Sequence, residues 1–330
     1  MKKLTVLAFA ASFAALPLSA QQEKKVFPAP GEIVATAKAE EWVAIAPSDL
    51  LVIDLALDAE GKQRRVVIQL MPVPFAQGWI GNMRKLAAAH WWDGTSINRV
   101  QDNYVVQWGD ATEKRTLPEG LAVIPESNYV IPSVAAGFLE EMMEKATRNG
   151  SPQAAEAALK APAWLKMKDA YASSGAFFAG WPIAIGGMEQ GNAWPVHCYA
   201  MVGVGRNLSP DTGTGAELYT VIGHAPRHLD RNIALVGRVI EGIEHLSSLP
   251  RGTGALGFYE KEEERVPILS VRLGNEAKDV AAFEYLNTES KSFAKYADAR
   301  ANRRDPFFIK PAGGADICNI PVPVRRKAKP

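Results

Sequence analysis

Ile97-Asn98-Arg99-Val100-Gln101-Asp102-Asn103-Tyr104-Val105-Val106-Gln107-Trp108-Gly109-Asp110 reads as two short strands around a polar turn. The strands are Ser96 to Val100 and Tyr104 to Trp108, with Asp102 and Asn103 in the turn, which is a hairpin signature. Period-two alternation places Val106 on one face and Val105 with Gln107 on the other. A cationic fork, Arg99, and a neutral amide, Gln107, are thereby brought to one groove among apolar neighbours.

Working outward, Leu50 to Leu57 and Arg65 to Met71 are β-rich runs joined by Asp58-Ala59-Glu60-Gly61-Lys62, a second hairpin. Pro72 and Pro74 then open a helix that ends near Trp91. Its Phe75, Trp79, Met83 and Leu86 share one apolar face. Asp93-Gly94 turns the chain into the hairpin quoted above. Strand-like runs resume at Tyr199 to Val204, Glu217 to Ile222, Ile233 to Ile240 and Pro267 to Leu273, and Gly242 to Leu249 forms a short helix. About eight strands and two helices predict a mainly β fold in which antiparallel strands close into a barrel.

Between the strands, residues 111–195 form an insertion of helical and irregular character. Helices are expected at Val134 to Thr147 and Pro152 to Leu159, followed by a Gly-rich stretch from Gly180 to Gly191. Residues 21–48 read as an N-terminal leader into a domain spanning 49–274. Residues 275–330 read as a C-terminal extension with one helix near Lys278 to Arg300.

Residues 1–20 have the pattern of a secretory signal peptide. Lys2 and Lys3 precede an apolar run from Leu4 to Leu16 that is too short to span a bilayer, and Ser19-Ala20 supplies a cleavage site. The mature chain is expected to be soluble and periplasmic or secreted, without membrane insertion. Of the 37 basic side chains, loss of Lys2 and Lys3 leaves 35 against 36 acidic ones. Such a balance provides no global attraction for nucleic acid. The basic tail Arg325-Arg326-Lys327-Ala328-Lys329 reads as a solvated chain end.

Several other motifs have plainer readings. His224 and His228 stand at a metal-ligand spacing, but Pro226 between them argues for a loop. Gly203-Val204-Gly205 and Gly213-Thr214-Gly215 lack the strand-to-helix context of a nucleotide-binding turn. The two cysteines, Cys198 and Cys318, suit a single disulfide in an exported chain. The other reading is a catalytic Cys198 beside His197, although no further residue there resembles a nucleophile site.

The order of these pieces resembles that of the cyclophilin-type peptidyl-prolyl isomerases. Val67 to Leu70 with Pro74, Asn82 and Leu86 is similar to the family's opening strand and first helix. Asn98-Arg99-Val100 stands where the family has its aromatic-His-Arg-hydrophobic run, and Gln107-Trp108-Gly109-Asp110 resembles Gln-Gly-Gly-Asp. Met201 matches the methionine of the central strand, and Gly215 to Tyr219 takes the place of Gly-Ser-Gln-Phe-Phe. Leu229-Asp230 and Val236-Gly237-Arg238-Val239 resemble Leu-Asp-Gly and Phe-Gly-Arg-Val. The match covers roughly residues 50–110 and 198–273.

The resemblance implies a closed eight-stranded antiparallel barrel capped by two helices, and an enzyme that isomerises X–Pro bonds in polypeptides. It implies Arg99 and Gln107 as catalytic residues, with no cofactor and no metal. The proline-binding surface would comprise Tyr104, Val105, Met201, Glu217, Tyr219, His228 and Ile233. Departures from the family pattern include Asn98 for histidine, Glu217 for glutamine and Tyr219 for phenylalanine, with Ile233 where many members carry histidine. These changes motivate a second reading, a non-catalytic module of the same fold that binds or chaperones Pro-containing segments. A third is an envelope protein whose insertion docks a partner. The oligomeric state is not encoded in any of these motifs.

Overall fold

The computed structural model describes residues 27–132, 169–187 and 191–328. In chain order the strands are β1 (Trp42–Ile45), β2 (Leu50–Leu55), β3 (Arg64–Leu70), β4 (Ser96–Val100), β5 (Val105–Gly109), β6 (Ile131–Pro132), β7 (Ser174–Phe178) and β8 (Trp181–Ile185). There follow β9 (Asn192–Pro195), β10 (Met201–Val204), β11 (Leu218–Val221), β12 (Leu235–Glu241), β13 (Val266–Leu273), β14 (Phe283–Leu286) and β15 (Val324–Arg326). The described helices are α1 (Pro30–Ala35), α2 (Gln77–Ala88), α3 (Glu244–Ser247) and α4 (Lys291–Ala301). None of the described helices is long and apolar enough to cross a membrane.

Eight strands close into a barrel in the order β10-β11-β5-β4-β13-β2-β3-β12, each antiparallel to its neighbours. All eight barrel strands expected from the sequence form, each end within two residues of its expected place. Closure leaves no barrel edge unpaired. α2 packs against β12 and β13, and α3 against β3. Ala76 takes a left-handed φ of 53°, so α2 starts at Gln77 and not at the prolines before it. Trp79, Met83 and Leu86 of α2 are fully buried in the main core. Two of the indole N–H groups that enter this core reach backbone acceptors: Trp79 donates to Thr212 O at 3.1 Å and Trp92 to Ala216 O at 2.7 Å.

β2 is apolar almost throughout because both of its faces are covered. Leu51, Ile53 and Leu55 point into the main core, whereas Leu50 joins Ile45, Val67 and Phe283 in a separate cluster outside the barrel. That outer layer is a three-stranded sheet, β1-β14-β15, so an early strand and two late ones meet on the barrel's flank. The stretch read as a leader therefore supplies α1 and β1, and α1 packs on α4. The tail corrects the expected helix over Lys278 to Arg300. Phe283–Leu286 forms β14, and α4 begins only at Lys291, where the Ser290 hydroxyl caps the helix by accepting from Phe293 N at 3.0 Å.

The insertion is corrected in the same way. Its described part contains a four-stranded sheet, β6-β9-β8-β7, where helical and irregular structure was expected. The Gly-rich stretch carries the two-residue turn Ala179-Gly180, both at positive φ, which joins β7 to β8. The helices expected at Val134 to Thr147 and Pro152 to Leu159 lie outside the described residues. Arg238 of β12, wholly buried, fastens this sheet to the barrel: it donates to Gly180 O at 2.8 Å and to Gln69 Oε1 at 2.7 and 2.9 Å, under the Trp181 ring. Burial without a carboxylate partner brings its pKa down to about 10, so it stays charged at neutral pH.

Cys198 and Cys318 are joined by a disulfide across 120 residues, which ties the C-terminal extension to the approach to β10. Both sulfurs are thereby committed, and no thiol remains for the catalytic reading of Cys198. Cys318→Ser, or reductant added to the wild-type chain, is expected to lower the thermal unfolding midpoint by an amount equivalent to about 2–4 kcal/mol. Calorimetric scans with and without reductant check this, and superimposable scans would show that the tail holds without the bond.

Candidate active site

The β4–β5 hairpin is not a simple ladder. Ile97 pairs with Trp108, but the register then slips so that Arg99 pairs with Gln107 and Val100 with Val106. Asn98 is the extra residue, a β-bulge. Arg99 and Gln107 therefore face the same way, outward, while Val106 and Trp108 are buried in the barrel core. At the turn, Asn103 takes φ +51°, which its side chain tolerates, and Tyr104 N donates to Gln101 O at 3.2 Å. Gly223 lies against this turn so closely that a Cβ there would fall 2.1 Å from the Asn103 carbonyl carbon.

Arg99 is half-buried and held on three sides. Its Nε donates to Leu256 O at 2.8 Å, Nη1 donates to Gln107 Oε1 at 3.1 Å, and Nη2 donates to Gln101 Oε1. The rings of Phe258 and Tyr104 lie 5.3 and 5.8 Å from the guanidinium carbon. A guanidinium carries five N–H donors, so two remain after these three bonds. Burial lowers the Arg99 pKa, yet an arginine stays charged at any physiological pH.

Beside Arg99 lies an outer apolar cluster. Val105, Tyr219 and Val221 form its buried floor, and Tyr104, Leu229 and Ile233 are only partly buried above it. His228 is exposed and its ring stacks on Tyr104, with centroids 6.3 Å apart. Five of the expected binding residues, Tyr104, Val105, Tyr219, His228 and Ile233, are thus brought together next to Arg99. Met201 is not among them: it is buried, but in a different cluster from the one beside Arg99. The expectation for Met201 came from its place in the chain, but it pairs with Arg238 of β12, on the side where the insertion sheet is fastened. Leu229, Gln101, Leu256 and Phe258 were missed. Leu256 and Phe258 belong to a Gly-rich loop whose only signal was Gly252-Thr253-Gly254, and the bridge between Arg99 and Phe258 is a long-range pairing.

Glu217 sits on the other side of Gln107. Its Oε1 accepts from Asp110 N at 2.7 Å, an approach that requires Gly109, where a Cβ would lie 2.0 Å from the carboxylate. Burial raises the Glu217 pKa to about 7, with the nearby Asp110 charge adding to the rise; the Asp110 N–H and the Gln107 and Asn98 amides oppose it.

Comparison with known proteins is consistent with this architecture. The family model described as cyclophilin type peptidyl-prolyl cis-trans isomerase/CLD matches residues 60–273. Among solved structures, a cyclophilin from Hirschia baltica is similar with a TM-score of 0.61 at 19% identity, covering 89% of this chain and 99% of its own. A cyclophilin type peptidyl-prolyl cis-trans isomerase of Cryptosporidium parvum, crystallised in the presence of the dipeptide Ala-Pro, gives a TM-score of 0.36 at 10% identity, with 68% and 98% covered. No curated protein matches the sequence significantly.

The Glu217 carboxyl provides a test of the site's electrostatics. Its folded pKa of about 7 lies above the ordinary value of 4.5, so the folded state binds the proton more tightly than the unfolded chain. The resulting stabilisation is complete below about pH 4.5 and disappears as pH rises through about 7. Relative to Glu217→Gln, wild-type stability should therefore fall by on the order of 3 kcal/mol across that window. Denaturant unfolding of both proteins from pH 4 to 8 measures this, and parallel stability curves would place the carboxyl in solvent.

Proposed function

The chain belongs to the family of cyclophilin type peptidyl-prolyl cis-trans isomerases, and we propose that it isomerises X–Pro bonds of polypeptides with Arg99 as the catalytic donor. Rotation about such a bond is slow because amide conjugation sets a barrier of about 18–20 kcal/mol. At the twisted transition state the conjugation is lost and the proline nitrogen becomes pyramidal, with a lone pair able to accept a hydrogen bond. A donor aimed at that nitrogen binds the twisted state better than either planar state, and the difference lowers the barrier. No covalent bond is made or broken.

One observation carries this reading: a charged guanidinium, held by three acceptors with two N–H groups left over, stands beside an apolar surface open to solvent. Because its acceptors are already in place, Arg99 needs little reorganisation as the substrate twists. Gln107 presents Oε1 to Arg99, which leaves its Nε2 on the side of Glu217. Gln107 then orients the donor. The proline ring would rest on Val105 and Tyr219 between Tyr104, Leu229 and Ile233.

The clients we propose are exported polypeptides, and the compartment the periplasm or the medium. This is supported by the signal-peptide pattern of residues 1–20 and by the Cys198–Cys318 disulfide, a bond favoured in oxidising compartments.

In a prolyl-peptide isomerisation assay, Arg99→Ala should lower kcat/KM by about 10²–10³-fold, the usual loss for one transition-state donor. Arg99→Lys keeps the charge without the planar fork and should fall between the two. If the wild-type rate equals the rate without protein, the catalytic reading fails. Peptide binding without turnover would then leave the chain as a binding module of the same fold.

A further inference from the structure

Beneath the apolar surface lies a chain of buried polar groups that the isomerisation chemistry does not use. His197, between β9 and β10, has a fully buried ring. Its Nδ1 lies 2.9 Å from Asp230 Oδ1 and its Nε2 lies 2.8 Å from the Tyr219 hydroxyl. The His197 backbone N–H also donates to Asp230 Oδ1, at 3.0 Å. Asp230 Oδ2 accepts from Arg227 Nε at 2.7 Å, and Arg227 Nη2 donates to Asp169 Oδ2 of the insertion at 2.7 Å. Asp316 of the tail lies 3.9 Å from Arg227 Nη1, two residues from the disulfide that holds Cys198.

The roles of donor and acceptor follow from charge. Burial raises the Asp230 pKa, but the His197 hydrogen bond and the Arg227 charge outweigh it and hold the carboxyl below its usual range. An ionised carboxylate only accepts, so His197 Nδ1 carries the proton. Burial drives the His197 pKa down, so the ring is neutral and Nε2 is an acceptor. The Tyr219 hydroxyl is therefore the donor. To reach that nitrogen the phenol crosses β10 directly over Gly203, where a Cβ would meet its oxygen at 2.3 Å. The Tyr219 ring is at the same time the floor of the apolar cluster.

We infer that His197 is a positioning residue for peptide binding: by accepting the Tyr219 hydroxyl, it fixes the aromatic ring on which the substrate proline would rest. The inference rests on the groove reading proposed above. A buried hydroxyl deprived of its acceptor must swing toward another partner, and the ring moves with it. Arg227, braced by the insertion and the disulfide-tethered tail, holds Asp230 and through it the imidazole. The insertion and extension thus support the binding surface from behind.

The test is steady-state isomerisation of an Ala-Pro-containing tetrapeptide, with KM and kcat resolved and thermal unfolding run alongside. His197→Leu should raise KM about tenfold with kcat nearly unchanged, since residues sharing one hydrogen bond are coupled on that scale. His197→Gln, whose amide offers an acceptor to Tyr219 and a donor to Asp230, should restore a near-wild-type KM. Tyr219→Phe removes one oxygen and should raise KM several-fold, and adding His197→Leu to it should raise KM little further. If His197→Leu fails to fold, Tyr219→Phe set against His197→Gln decides. An active wild type whose KM is unmoved by Tyr219→Phe, or a double variant whose effects simply multiply, overturns the inference alone. An inactive wild type overturns the groove reading and this inference with it.

Discussion

One extra residue in β4 decides the character of the site. In an unbroken antiparallel ladder continuing from the Ile97–Trp108 pair, Arg99 would stand opposite Val106, whose side chain is wholly buried in the barrel. Directly paired residues share a face, so the guanidinium would be driven into the core. The bulge at Asn98 moves Arg99 opposite Gln107 and turns it outward. The bond from Arg99 to Gln107, the stacking of Phe258 and Tyr104 about the cation, and the two spare N–H groups all follow from that displacement.

The barrel itself is only half of the packing problem. β2 carries apolar residues on both faces and β3 adds Val67 to its outer one, so a bare barrel would leave Leu50 and Val67 in water. Burying a side chain of that size contributes roughly 1.5–3 kcal/mol. The sheet of β1, β14 and β15 covers them, and Arg238 and the disulfide bind the remaining additions to the same frame. The segments outside the family's barrel are thus packed on it through a hydrophobic cluster, a buried cation and a covalent link.

The hairpin from Ile97 to Asp110 was legible because its strand period and turn residues are local, and the barrel was legible because eight such runs occur in order. The outer face of Val105 and the inner face of Val106 follow from alternation alone. What escaped was tertiary. The pairing of Arg99 with Phe258 crosses more than 150 residues, and nothing about Leu256 announces that its carbonyl accepts from a guanidinium. Met201 was placed by its position in the chain, which does not say which face of β10 it occupies. β14 was absorbed into a helix because four residues are too few for alternation to outweigh the helical pattern that follows. The four-stranded sheet of the insertion was hidden by Pro182 and Pro195, residues that usually demote a strand.

The pairing of β1 with β14 also has a bearing on biosynthesis. Trp42 pairs with Leu286, so β1 is made long before its hydrogen-bonding neighbour. Until then β1 is an open edge with apolar residues beside it, the kind of surface that invites pairing with other chains. The chain is therefore exposed to such mispairing until Phe283–Leu286 has been made.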